Sequence, residues 1–227
     1  MLWTASRLGD FELQATDGPI GAVRDCLFDA GSWRVRWFVV DTGTWLPGRN
    51  VLIAPAHVDA RETDRLELRL DITRDQVRAS PPFDDDEPVS RPYEEELIEH
   101  YGWQGYWTGV GHPEPAPGEA GVRSADALIG CHIQASDGRI GHVDDVLIDP
   151  EGWVVRYLVV DTRDWWPGKL VLLVPQALKG TEAADRTLEV ELTREQVRNG
   201  PAFDPEQTID RAIEEKFLGY YGYPVYW

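Results

Sequence analysis

The 227-residue chain carries 22 Lys and Arg against 40 Asp and Glu, a formal net charge of −18. That excess of anions argues against a surface that tracks nucleic-acid phosphates, which needs clustered cations to displace counterions. An apolar content of 42% supports a packed core and excludes the disordered class.

In chain order, Asp17-Gly18 is a hairpin turn signal, because both central positions of a tight hairpin favour positive φ. Ile20 to Phe28 alternates apolar and polar as a half-buried strand does. Trp33 to Val40 is rich in valine and aromatics and ends in a continuous apolar run, which predicts a central strand. Pro47-Gly48 fits a type II turn, and Val51 to Ala54 returns as a short buried strand stopped by Pro55. Leu66 to Leu70 alternates strictly. Thr73 and Gln76 form a capping-box pair at the start of a short helix. A second helix is predicted over Tyr93 to His100, followed by an aromatic tail from Tyr101-Gly102-Trp103 to Tyr106-Trp107.

Shifted by 120 residues, the chain matches itself without a gap. Ala15-Thr-Asp-Gly-Pro-Ile-Gly-Ala-Val-Arg-Asp25 falls on Ala135-Ser-Asp-Gly-Arg-Ile-Gly-His-Val-Asp-Asp145, and Val39-Val-Asp-Thr42 falls on Val159-Val-Asp-Thr162. The second half therefore repeats the strands over Ile140 to Ile148, Trp153 to Val160, Leu170 to Val174 and Leu188 to Leu192. It repeats the Thr193/Gln196 cap, a helix over Ile209 to Leu218, and a tail from Tyr221-Gly222-Tyr223 to Tyr226-Trp227. The expected domains are 1–107 and 121–227, joined over 108–120 by a Pro- and Gly-containing spacer. Two equal globular halves suit a pseudo-twofold pair, an intramolecular pseudo-dimer that needs no second chain.

The order Asp-Gly-x-Ile-Gly-x-Val, then Val-Arg-[Trp/Tyr]-x-Val-Val-Asp-Thr, then Trp-x-Pro-Gly-[Arg/Lys]-x-Val-Leu resembles the PRC-barrel family in both halves, over 4–80 and 124–200. That family's small β-barrel occurs in the cytoplasmic part of the photosynthetic reaction centre H subunit and in a ribosome maturation factor. The resemblance implies a mainly β chain: two tandem PRC-barrel-like barrels, each with short C-terminal helices and an aromatic tail. It also implies adaptor or regulatory modules without shared catalytic residues. The membrane helix that anchors the reaction-centre subunit has no counterpart here.

Several residues invite a chemical reading. Val39-Val40-Asp41-Thr42-Gly43 resembles the aspartic-protease signature, and Asp161-Thr162 repeats it. Paired carboxylates at Asp41 and Asp161 would share a proton and activate water. Arg163 stands where that turn wants glycine, so strand-end aspartates satisfying turn amides are the preferred reading. The acidic run Asp84 to Glu87 reads as a solvated loop, since its spacing is not that of a calcium loop. His142 with Asp144 and Asp145 hints at a metal, but strand alternation puts two ligands on one face, too few to assign one. Cys26 and Cys131 read as small core hydrophobes and make no disulfide framework. Arg36 and Arg156 read as partners of acidic strand neighbours.

No catalytic residue, metal or cofactor is assigned. The chain is expected to be a non-enzymatic, cytoplasmic protein-binding module, since no apolar run reaches the ~18–20 residues of a membrane span and residues 1–10 lack signal-peptide character. Its candidate partner-binding residues are Tyr101, Trp103, Tyr106, Trp107, Tyr221, Tyr223, Tyr226 and Trp227, because exposed Tyr and Trp are frequent interface anchors. The partner is expected to be a protein with a neutral or basic surface. The alternatives are a small-molecule carrier or sensor at the inter-barrel groove and, behind it, the hydrolase using Asp41 and Asp161.

Overall fold

The computed structural model describes residues 2–59, 66–85, 87–108, 121–163, 169–179, 186–207 and 209–227. In chain order the first half runs β1 (Trp3–Thr4), α1 (Ala5–Leu8), β2 (Glu12–Ala15), β3 (Gly18–Asp29), β4 (Val35–Asp41), β5 (Asn50–Ile53), β6 (Val58–Asp59), β7 (Glu67–Leu70), α2 (Arg74–Ala79) and α3 (Arg91–Tyr101). The second half follows with β8 (Val122–Ser124), α4 (Ala125–Leu128), β9 (His132–Ala135), β10 (Gly138–Asp149), β11 (Val154–Asp161), β12 (Leu170–Leu173), β13 (Thr187–Glu189), α5 (Arg194–Asn199) and α6 (Arg211–Tyr221). A single 3-10 turn over Pro55–His57 and another over Pro175–Ala177 sit where proline stops β5 and β12. The expected spacer lies, beyond Thr108, outside the described residues.

The hairpin at the start of each sheet forms where expected but with different turn residues. Ala15 pairs with Gly18, so Thr16 and Asp17 make the two-residue loop, and the positive φ falls on Gly18 at 140°. Asp17 acts through its carboxylate instead, accepting the Arg74 N–H at 2.8 Å where α2 begins. Asp137 does the same for Arg194 at 2.7 Å. Both capping boxes form as read, Thr73 with Gln76 and Thr193 with Gln196. Gly48 has the φ of 72° that a type II turn asks of its third residue, whereas Pro167-Gly168 lies outside the described residues. Trp33 and Trp153 occupy the turn just before β4 and β11, with φ of 58° and 49°. That region is costly for a bulky residue, and burial holds it: Trp33 stacks on Phe28 with centroids 4.8 Å apart.

The chain is mainly β, with two sheets. One has the order β5-β4-β3-β2-β7-β6, with β8 also on β3; the other has β12-β11-β10-β9-β13, with β1 also on β10. The strand pairs are antiparallel except β2 with β7 and β9 with β13, which run parallel. Neither sheet closes on itself among the described residues, which corrects the expectation of two barrels. Helices supply the remaining cover. Val77 and Leu97 are fully buried in one unit, and Val197 and Phe217 are buried in the other.

Two compact units result, Ser6–Ser124 and Met1–Ala5 with Ala125–Trp227. They differ from the sequence halves at the leading strands. Within the second of these units, Trp3 pairs with Ile148, is 5% exposed and meets Trp153 edge-to-face at 5.9 Å. The Ala5 N–H donates to Asp145 Oδ1 at 3.0 Å. Within the first, Phe28 pairs with Arg123, and the Ser124 hydroxyl donates to Asp25 Oδ2 at 2.6 Å. Each unit is thus completed by a strand from the other half of the sequence, and Asp25 and Asp145, equivalent in the repeat, each accept a hydrogen bond from the incoming segment. Trp3→Ala is therefore expected to destabilise the unit containing residues 125–227 by about 3–5 kcal/mol, the usual cost of deleting a buried tryptophan. Hydrogen exchange should show protection lost along β10; loss confined to residues 6–124 would contradict the exchange.

Candidate functional site

The aromatic tails close on a buried glutamate. Helix α3 starts at Ser90, whose hydroxyl accepts the Tyr93 N–H at 3.4 Å, and stops at Gly102 in the left-handed region. One turn in, Glu94 is 3% exposed. Its carboxylate accepts from Trp37 Nε1 at 2.8 Å on β4, from the Tyr106 hydroxyl at 3.1 Å, and pairs with Arg91 at 3.0 Å. In the other unit Asp210 caps α6, Gly222 ends it, and Glu214 accepts from the Tyr157 hydroxyl at 3.1 Å and the Tyr226 hydroxyl at 2.5 Å. The strand donor has changed from an indole to a phenol, yet the carboxylate keeps its place.

Arginines hold the tail rings from above. The Arg36 guanidinium lies 3.8 Å from the Tyr106 ring and Arg156 lies 3.7 Å from Tyr226. Arg91 lies 3.9 Å from Trp107, and Arg211 lies 5.4 Å from Trp227. Each contact is worth about 0.5–2 kcal/mol, more where water is excluded. Burial pushes Glu94 above the usual carboxylate range, with Trp37 and Arg91 pulling the other way. Burial, then the adjacent Glu94 charge, pushes Tyr106 up to about 12, so its hydroxyl keeps the proton it donates. The expected partner of Arg156 is Asp149, at 2.8 Å. Arg36 donates to the Ser32 hydroxyl at 3.3 Å; burial lowers its pKa, and the charge of Asp29 opposes that shift.

The eight tail aromatics therefore divide. Tyr106-Trp107 and Tyr226-Trp227 come together with a glutamate and two arginines. Tyr101 is buried, and Trp103 stacks between it and His57, with centroids 4.3 and 4.5 Å away. Tyr221 and Tyr223 are half-buried. Sequence reasoning passed over Glu94, Glu214, Arg91 and Arg211. The available signal was Arg91-x-x-Glu94 recurring as Arg211-x-x-Glu214 at the same 120-residue offset.

The tails also differ in display. A Cβ on Gly105 would meet the Trp107 ring at 2.6 Å, so glycine lets that indole fold back onto the chain. Val225 stands at the equivalent position and is itself exposed. Tyr220, Val225, Tyr226 and Trp227 are 39–47% exposed, and beside Trp227 opens a cavity of about 350 Å³ with Asp149, Glu151, Asp210 and Arg211 in its wall.

A second constellation lies where β3 meets β4 and β10 meets β11. Gly21 and Gly141 take φ of 141° and 146°, and a Cβ there would sit 2.0 and 1.8 Å from the carbonyl oxygens of Asp41 and Asp161. This close approach fixes the end of the strand. As expected of strand-end aspartates, Asp41 accepts the Gly43 N–H and Asp161 the Arg163 N–H, both at 2.8 Å. Arg163 Nε also donates to Asp161 Oδ2 at 2.6 Å, and that hydrogen bond holds the Asp161 carboxyl below its ordinary range. A carboxylate so held is a poor proton donor for a hydrolytic dyad. In the first unit the same place is a cleft of about 530 Å³ lined by Asp10, Glu12, Ala22, Asp41, Trp45 and Arg74.

In the second unit it holds His142, Asp144 and Asp161, whose ligating atoms all lie within 4.8 Å of one another. The two-ligand expectation is corrected here. Asp161 sits opposite His142 in the β10–β11 register, while Asp145 turns inward and accepts the Val146 N–H at 2.7 Å. Periodicity along one strand could not supply the third ligand, because it comes from the neighbouring strand.

The remaining sequence candidates are structural. Cys26 and Cys131 are buried and unpaired with each other. Asp85 accepts from Arg24 at 2.7 Å and from Asn50 Nδ2 at 2.6 Å, the pattern of a loop tied to the sheet edge. The [Arg/Lys] of the repeated motif caps a helix: Arg49 Nη1 reaches the Arg78 carbonyl at 2.7 Å and Lys169 Nζ the Arg198 carbonyl at 2.8 Å, where cations suit the exposed carbonyls of a helix C-terminus. No described helix is long and apolar enough to cross a membrane.

The family model of the PRC-barrel domain matches residues 121–197, and the chain contains a PRC-barrel domain there. No curated protein matches the chain.

Proposed function

We propose that the chain is a non-enzymatic adaptor that binds a protein through the tail of its second unit, in the cytoplasm. PRC-barrel domains are in general a protein-interaction module type. The observation that carries the reading is the display of Tyr220, Val225, Tyr226 and Trp227 beside a clamp in which the Tyr226 hydroxyl is held by Glu214. Rigid aromatic anchors of this kind lose little entropy on binding, which favours them at hot spots. The partner is a segment bearing Lys or Arg beside an apolar residue. Asp149, Glu151 and Asp210 line the adjoining cavity, and the chain as a whole carries a charge of −18. The repeated motif order extends the PRC-barrel reading to residues 4–80, and the folded-back Trp107 makes that half the supporting module.

The test is site-specific photocrosslinking in cells of the source organism, with the reactive residue at position 227 and, as control, at position 107. A discrete adduct is expected at 227, mapping to a basic segment, competed by unlabelled protein and lost in Val225→Gly/Tyr226→Ala. Equal labelling from both positions, or an adduct indifferent to competition, would count against a docking tail.

A further inference from the structure

We propose that His142, Asp144 and Asp161 form a binding site for a divalent transition-metal ion of the zinc class, built into the second unit and absent from the first. Three features converge on it. The first is register: His142 and Asp161 are directly opposite across β10 and β11, and directly opposed side chains leave the sheet on the same face. The second is a bulge. The β10–β11 pairing slips between Val143 and Asp145, so Asp144 is the extra residue, and a bulge re-aims the side chain it carries. That slip lets residues two apart on β10 join a third ligand on β11 within 4.8 Å.

The third feature is the comparison the chain makes with itself. The first unit has the same slip, between Val23 and Asp25, and the same strand-end carboxylate, Asp41. There the two other positions hold Ala22 and Arg24, and Arg24 is engaged with Asp85. Both differences in the second unit, histidine for alanine and aspartate for arginine, add a metal ligand to the retained aspartate. His132, the cross-strand neighbour of His142 on β9, places a second imidazole in the same row, and its Nδ1 is buried without a hydrogen-bond partner among the described residues.

The donor set selects the ion. One imidazole nitrogen with two carboxylate oxygens suits zinc and its neighbours; magnesium and calcium prefer oxygen alone. Bonds of about 2.1 Å around a tetrahedral ion set ligand atoms roughly 3.4 Å apart, a contraction that rotation of the exposed Asp144 side chain provides. Three protein ligands leave a position open to solvent. Arg163 is the competitor, since its guanidinium already rests on Asp161 Oδ2 and its side chain is 68% exposed. Metal binding exchanges that guanidinium for the cation while the Arg163 N–H stays on Oδ1.

The test uses the full chain freed of metal by chelation. Co²⁺ is titrated for its visible absorption and Zn²⁺ by calorimetry, with Mg²⁺ as a third arm. One Zn²⁺ per chain is expected at this site, tighter than Mg²⁺ by at least tenfold and displacing Co²⁺. His142→Ala and Asp144→Arg, which install the residues of the first unit at exposed or half-exposed positions, should each weaken Zn²⁺ at least tenfold with far-UV circular dichroism unchanged. Arg163→Ala should tighten it. Unchanged Zn²⁺ affinity in both His142→Ala and Asp144→Arg, Mg²⁺ binding as tight as Zn²⁺, or weaker binding in Arg163→Ala would each overturn the proposal.

Discussion

Gly141→Ala is expected to cost the second unit at least about 4 kcal/mol, a size reserved for a few named mechanisms. Its φ of 146° strains any residue with a Cβ, and that Cβ would lie 1.8 Å from the Asp161 carbonyl oxygen and 2.8 Å from its carbon. Neither atom can move aside, because Asp161 is paired with His142 on one strand and Leu170 on the other. Gly138 is the internal control. Its φ is 144°, but a Cβ there would press on the Arg194 side chain at 3.1 Å, which can swing away. Gly138→Ala should therefore cost only the backbone strain, about 1–2 kcal/mol. Urea denaturation at a common slope measures both. A Gly141→Ala loss no larger than that of Gly138→Ala would mean that close approach is not why glycine stands in the Ile-Gly motif.

Removing the Glu94 carboxyl should cost about 3–5 kcal/mol, as breaking a buried pair does when its partners stay behind. Glu94→Ala leaves the buried Trp37 N–H and the Tyr106 hydroxyl without their acceptor and Arg91 without its anion. The tail should detach, and Trp107 fluorescence should shift to the red. Glu94→Gln keeps an acceptor oxygen and should cost less. It should also remove a pH dependence. Burial raises the folded-state pKa of Glu94, so folding favours the protonated form. That contribution is complete below the ordinary glutamate range and fades as pH rises through the raised value. The wild type should thus gain stability relative to Glu94→Gln on acidification from neutral pH. A parallel pair of stability curves would show that Glu94 is ionised at no cost.

What the sequence made legible was local. The capping boxes at Thr73 and Thr193, the turn at Gly48, and the strands ending in Asp41 and Asp161 are each written within a few residues, where periodicity and φ preferences act. The aromatic tails were visible as composition, but not their anchor. Glu94 and Glu214 lie on short helices rich in charge, where a glutamate ordinarily faces water, and nothing along the helix marks the one that turns inward. The third member of the His142 group depends on which residue of β11 stands opposite, information held in pairing rather than spacing. The parallel placement of β7 against β2 and of β13 against β9 was illegible for the same reason.

The exchanged leading strands have a consequence for how the protein is made. Trp3 and Thr4 leave the ribosome well before their partners on β10, Ile148 and Leu147, have been synthesised. The unit ending at Ser124 can finish folding as soon as β8 emerges, while an apolar, unpaired strand waits at its head. A chain interrupted after the first half would release one nearly complete unit with an orphan strand exposed, and pairing of that orphan with another unfinished chain is the natural route to misassembly.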